Sequence, residues 1–225
     1  MGYDNKYSGA VVVDLETAPL SDAADYIESV AAPSNYKDPV KIAAYAKEKQ
    51  AETVDRASLD PDLCRIVCLG YQFEHMEVVH VIPAENELHE QNALTLFWRE
   101  VASKRLIGFN ILGFDALVLL RRSLYLNVKA PRLQVDRFKH PQIIDLMDEL
   151  SFGRQERRHG LKLYAKRFGL KVVEDGISGA QIPSLVAAGE WGQVAAHCEA
   201  DVRATGLLAA RLGHFRGVSE PAGVL

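Results

Sequence analysis

The stretch GAVVVDLETAPL, residues 9–20, begins as a buried strand and then carries two carboxylates, Asp14 and Glu16, out of the same apolar run. Side chains alternate across a strand, so Asp14 and Glu16 point to one face while Val13 and Leu15 point to the other. Like charges about 6–7 Å apart on one face repel, and partial burial strengthens the repulsion. A lysine, an arginine or a divalent cation between them would relieve it, because divalent ions take oxygen ligands. Taken alone, the short and common pattern Asp-x-Glu better fits a strand that has simply reached solvent. The choice between these readings rests on the other acids in the chain.

The 225 residues, 48% hydrophobic and 25% charged, have the mix of a globular protein with a sizeable core. One domain over 1–225 is expected, with an insertion at about 20–62 and a frayed tail at about 214–225. The net charge of −4 argues against a chain held on nucleic acid by a global positive field. It leaves room for an acidic metal site, whose carboxylates contribute to that balance. Three cysteines, Cys64, Cys68 and Cys198, are odd in number and lack zinc spacing, so a disulfide framework is not expected. A reducing, cytoplasmic setting suits them. MGYDNKYSGA has no basic region followed by an apolar run, and no apolar run approaches ~18 residues, so neither a signal peptide nor a membrane span is expected.

Strands are expected at 9–15, 64–73 and 76–82, the last two joined as a hairpin at Glu74 and His75, and a further strand at 105–110. Residues 142–150 read as a strand running into a helical turn. Helical spacing marks 86–104, with an apolar stripe of Leu88, Leu94, Leu96, Phe97 and Val101, and then 113–127, 160–170 and 190–212. Cys64 and Cys68 are expected on one face of their strand. Within the insertion, DPVKIAAYAKEKQAE (38–52) opens with a proline suited to a first helical turn. That helical insertion either covers the carboxylate end of the first strand or is a surface connection.

Two further acids stand in apolar surroundings. Asp115 is alone in a strongly apolar stretch, after a strand and at a helix start, where the macrodipole would also favour it. Asp201 lies in a long helix on the face of Val194, Cys198, Thr205 and Leu208, with His197 one turn before it. Each has an ordinary structural explanation. Four such carboxylates on three elements, however, form a set that is ruinous without cations and suited to two divalent ions. Such ions activate a water and stabilise the leaving oxygen of a phosphodiester. A nearby histidine, whose pKa lies near neutrality, can take the proton from that water.

Asp14-Leu15-Glu16-Thr17, Asn110 with Phe114-Asp115, and His197-x-x-x-Asp201 resemble the three ordered motifs of the DEDD superfamily of 3′-to-5′ exonucleases. More narrowly, GFNILGFDALVLLRR (108–122), IIDLMDEL (143–150) and HCEADVRATGLL (197–208) resemble predicted exonucleases related to the proofreading domain of family B DNA polymerases. The resemblance implies an α/β, ribonuclease H-like fold: a five-stranded mixed sheet flanked by helices, its first three strands antiparallel, here with a helical insertion after the first. It implies two Mg²⁺ or Mn²⁺ ions held by Asp14, Glu16, Asp115 and Asp201, and a 3′ end of single-stranded DNA as substrate, releasing nucleoside monophosphates. An enzyme trimming RNA 3′ ends and a non-catalytic nucleic-acid-binding module are the rival readings. The third motif departs from the superfamily: it has the histidine type at the spacing of the tyrosine type. His197 on a helix still lies one turn from Asp201, as the base or as a group that positions the water.

Candidate substrate contacts are Thr17, Asn110 and Phe114. Phe114 could stack on a terminal base or belong to the core, and Asn110 could bond a sugar, hold a metal ligand in place or make a turn. The basic clusters at 137–140 and 154–160 could meet phosphates or be solvated faces. Asp145 resembles an acid recurring in the relatives and is not assigned to metal. A replication or repair partner, if there is one, is unidentified.

Overall fold

The computed structural model describes residues 8–28, 31–135, 140–153 and 155–217. Most of the 137–140 cluster, Arg154 of the second cluster and the tail from 218 lie outside them.

The apolar run of the opening stretch forms the middle of a five-stranded sheet. Strand β1 (Ala10–Pro19) pairs antiparallel with β2 (Cys64–Phe73), and β2 pairs antiparallel with β3 (Val79–Pro83). On its other side β1 runs parallel to β4 (Arg105–Gly108), which runs parallel to β5 (Ile143–Asp145). The order β3-β2-β1-β4-β5 is the mixed sheet expected, with the first three strands antiparallel.

Helix α1 (Pro39–Asp55) lies in the insertion, capped by the Asp38 side chain with Pro39 in its first turn. Then follow α2 (Glu87–Val101), α3 (Asp115–Tyr125), α4 (Leu146–Leu150), α5 (Leu161–Arg167), α6 (Ile182–Ala187) and α7 (Trp191–Arg211). The sheet is covered on both faces. Val11, Val13 and Leu15 face α2 and α3 through Leu94, Phe97, Ala116 and Leu119. Ala10 and Val12 face α7 through Val202 and Leu208. The alternation of β1 thus sends Asp14 and Glu16 to the α7 side.

Several local expectations are corrected. β1 continues four residues beyond 15, because β2 pairs with it as far as Pro19 opposite Cys64. β3 begins at Val79 rather than 76, since the chain first turns through His75, whose φ is 66°. In α2, Leu88 is exposed, and the buried stripe is Glu90, Ala93, Leu94, Phe97, Trp98 and Val101. Glu90 is tolerated there because Arg122 donates to both its oxygens, at 2.7 and 2.8 Å, and the Ile66 amide donates to it at 2.9 Å. Cys64 and Cys68 do not share a face: Cys64 packs with Ile66, while Cys68 packs with Val67 and Cys198. The cause is a bulge, because the register steps from Glu16 opposite Cys68 to Thr17 opposite Ile66, leaving Val67 unmatched.

No side chain described in α1 is buried. The insertion reaches the carboxylate end of β1 through the single turn Ala57–Leu59: Thr17 Oγ1 donates to the Ser58 carbonyl at 2.6 Å. Among the described residues, no helix is long and apolar enough to cross a membrane.

Candidate active site

Only Ala10, Val11 and Val12 of β1 have β4 partners. Among the described residues, the second half of β1, which carries Asp14 and Glu16, therefore has no strand paired on that side. β4 ends at Gly108, and the chain turns at Asn110, with φ 62°, to start α3 at Asp115. Asp115 is buried at that helix start, where its own amide and that of Leu15 in β1 favour its charged form. This is how β1 and α3 bring their acids together.

Helix α7 supplies the remaining groups. It crosses β2 at Gly70, where an added Cβ would stand 2.7 Å from Cys198 Sγ and 2.8 Å from Val202 Cγ2. That close approach lays His197, Cys198 and Asp201 against β1. One ligand atom from each of Glu16, His197 and Asp201 falls within 4.8 Å of the others, and the same holds for Asp14, Glu16 and Cys198. His197 is 3% exposed, and its Nε2 lies 3.9 Å from both Glu16 Oε1 and Asp201 Oδ2. Its other nitrogen, Nδ1, lies 2.6 Å from Asp175 Oδ2, a hydrogen bond.

The electrostatics follow from crowding acids into a buried corner. Burial first, and then Asp115, Glu16 and Asp201, push the Asp14 carboxyl well above the usual range. Burial and then Asp201 push Glu16 up to about 9. Burial takes Asp115 to about 7 against the pull of its two amide donors. Asp201 is also raised by burial, opposed by His197 and by Lys162. Among the described residues, no lysine or arginine forms an ion pair with these four carboxylates; their ion-pair contacts are with His197. Such a set is poorly compensated, and carboxylate oxygens with an imidazole and a thiol beside them are groups that can ligate a divalent cation. The cluster could hold a metal ion.

The expected substrate contacts differ in their surroundings. Thr17 is buried and its hydroxyl is engaged with Ser58. The Asn110 side chain lies over Gly113, whose Cβ, if present, would be 2.5 Å from Asn110 Oδ1. Phe114 is half-buried and packs against the core cluster of the α2–α3 side.

Two contributors, Asp175 and Cys198, were not picked out as site residues from the sequence, and Asp145, noted there without a role, has one in the structure. Asp175, in the connection after α5, has no periodicity to mark it, and its partner His197 is 22 residues away. Cys198 could have been found as the neighbour of His197 on a buried face. Asp145 is buried and accepts the amides of Asn110, Leu112 and Met147, each at 3.0 Å. It thereby ties the loop before Asp115 to the end of β5.

A ribonuclease H-like α/β fold with an acidic cluster at the end of its central strand defines the class to which this protein answers. The chain belongs to the family of predicted 3′-5′ exonucleases related to the exonuclease domain of PolB, whose model matches residues 59–224. That match begins after Asp14 and Glu16. Among solved structures, the family B DNA polymerase from the hyperthermophilic archaeon Pyrobaculum calidifontis is similar at a TM-score of 0.59 and 17% identity. The similarity covers 94% of this chain and 25% of the polymerase, so the chain spans a quarter of that protein's length and shares its fold over that part. No curated protein matches the chain.

Proposed function

We propose that this protein is a metal-dependent 3′-to-5′ exonuclease of the DEDD type that removes nucleoside monophosphates from 3′ ends of single-stranded DNA, in a cytoplasmic setting. The observation that carries the reading is the convergence of carboxylates from β1, α3 and α7, raised in pKa chiefly by burial, beside a buried histidine. Membership of a predicted exonuclease family supports it and points to nucleic acid as substrate.

In this reading Asp14, Glu16, Asp115 and Asp201 would hold two Mg²⁺ or Mn²⁺ ions. Bound there, the ions would supply an activated water and charge stabilisation at the leaving oxygen. His197 accepts the proton of the attacking water through Nε2, which faces Glu16 and Asp201. Asn110 and Phe114, flanking Asp115, meet the terminal nucleotide. Thr17, bonded to Ser58, would act on it by fixing the 57–59 turn beside the carboxylate end of β1. The single-domain organisation over 1–225 belongs to the same proposal.

The test is digestion of end-labelled single-stranded DNA and matched RNA with Mg²⁺ or Mn²⁺, beside Asp14→Ala and His197→Ala. A ladder shortening from the 3′ end of DNA, absent with Asp14→Ala, is expected. Preferential shortening of RNA would replace DNA as substrate. Cleavage of neither polymer with either metal would overturn the enzyme reading.

A further inference from the structure

Within the exonuclease reading, we infer that Asp175 is a positioning residue that fixes the tautomer and aim of His197. The imidazole is buried, and its two nitrogens face different acids. Nδ1 is 2.6 Å from Asp175 Oδ2, a hydrogen bond. Nε2 is 3.9 Å from Glu16 Oε1 and from Asp201 Oδ2, beyond hydrogen-bond reach of each but within reach of one small group placed among the three. A carboxylate has no proton to give, so the short contact assigns the imidazole proton to Nδ1. Nε2 is then left with its lone pair turned toward the acidic cluster. An acceptor aimed at the place where a water must lose its proton is what a general base requires.

Asp175 is itself held for this task. Its second oxygen, Oδ1, accepts the amide of Ile177 at 3.0 Å, and the Ile177 carbonyl accepts Lys162 Nζ at 3.2 Å. Gly176, with φ 72°, provides the left-handed turn between the two bonded residues. Both carboxylate oxygens are thus engaged, and the loop after α5 is tied to α7 through the imidazole. Without this tether, the neutral ring would be free to carry its proton on Nε2, because acidic oxygens lie on that side too. The proton would then stand where the water's proton has to go.

The experiment reads the tautomer directly in the metal-free, full-length, ¹⁵N-labelled protein, from long-range ¹H–¹⁵N correlations of the His197 ring, assigned against His197→Gln. In the wild type a protonated Nδ1 and an unprotonated Nε2 are expected. In Asp175→Asn, which keeps an oxygen for the Ile177 amide, the proton is expected to redistribute toward Nε2. With Mn²⁺ and single-stranded DNA, the same variant is expected to lose at least about a hundredfold in kcat with KM within about threefold, the scale of a misplaced general base. A wild-type ring protonated on Nε2 would overturn the inference, whether or not the variant folds. An unchanged ring spectrum and unchanged kcat in a folded Asp175→Asn would do so as well. The expected wild-type spectrum in a protein that cleaves neither DNA nor RNA would overturn the exonuclease reading and leave the placement of His197 by Asp175 intact.

Discussion

Asp145→Ala separates the scaffold of the site from its chemistry. The Asp145 carboxylate is 4% exposed and accepts amides from two segments, Asn110 and Leu112 of the loop before α3 and Met147 of α4, all at 3.0 Å. A fourth amide, that of Asp148, lies at 3.3 Å. Bonds to a charged acceptor contribute about 1.5–3 kcal/mol each, and a buried donor left without an acceptor costs about 1–3 kcal/mol. Asn110, Leu112 and Met147 are half-buried, so water recovers part of each loss and about 1 kcal/mol per amide remains. Removing a carboxylate whose pKa is raised chiefly by burial offsets a further part. The net expectation is a loss of about 2–3 kcal/mol, which for a chain of this size lowers Tm by roughly 5–10 °C. The loss should be local in origin. Thermal unfolding without metal gives the magnitude, and amide hydrogen exchange gives the place: Asn110 and Leu112 should lose protection before the β1–β2 core does. Unchanged exchange at these two amides with a Tm within about 2 °C of wild type would refute the argument that Asp145 sets the loop presenting Asp115.

The pH dependence of the metal-free fold has a definite sign. Burial and the neighbouring acids raise Glu16 to about 9, and burial raises Asp115 to about 7, so the folded chain keeps protons that the unfolded chain releases near its ordinary carboxylate values. The stability these groups contribute is complete below about pH 4 and is lost as pH rises through about 7 and then about 9. A divalent cation would take the place of those protons, so the Tm gained from Mn²⁺ over EDTA should widen from about pH 5 to about pH 8.5; a constant gain would refute the assignment of the cluster as a metal site. Gly70→Ala places a Cβ 2.7 Å from Cys198 Sγ and 2.8 Å from Val202 Cγ2 and should cost about 1–3 kcal/mol in chemical denaturation. Gly70→Ala combined with Cys198→Ala should recover part of that loss, and simple additivity of the two changes would refute the contact.

What could be read from the sequence was whatever repeats locally. The valine run of β1, the alternation that puts Asp14 and Glu16 on one face, and the spacing of His197 and Asp201 are all short-range patterns, and the structure has each of them. The features that were missed depend on what lies across from a residue. The bulge at Val67, which parts Cys64 from Cys68, is set by pairing with β1 and leaves no mark in β2 alone. β1 runs on through Pro19 because β2 is there to pair with it, although DLETAP has little apolar signal. Leu88 looked like core and is exposed, whereas Glu90, outside the apolar stripe, is fully buried and paired with Arg122. Asp175 was invisible for the same reason, since its meaning comes from a histidine on another element.

The cluster of acids also explains why so much of the surrounding structure is over-determined. A fold gains nothing in stability from placing Asp14, Glu16, Asp115 and Asp201 in one poorly solvated corner, because burial and then Asp115 and Asp201 raise the cost of ionising Asp14 and Glu16. They stay together because the backbone leaves them nowhere else to go. Asp115 starts α3 beside β1, its loop is held by Asp145, and α7 by the close approach at Gly70. Each of these restraints acts on main chain or on packing, and none neutralises a charge. A purely structural role for the acids would predict the reverse, a lysine or arginine among them, as Arg122 stands against Glu90 elsewhere in the same molecule. A chain that matches its buried acid with an arginine at one place, and among its described residues pairs no lysine or arginine with four acids at another, has there a cluster that could hold a cation.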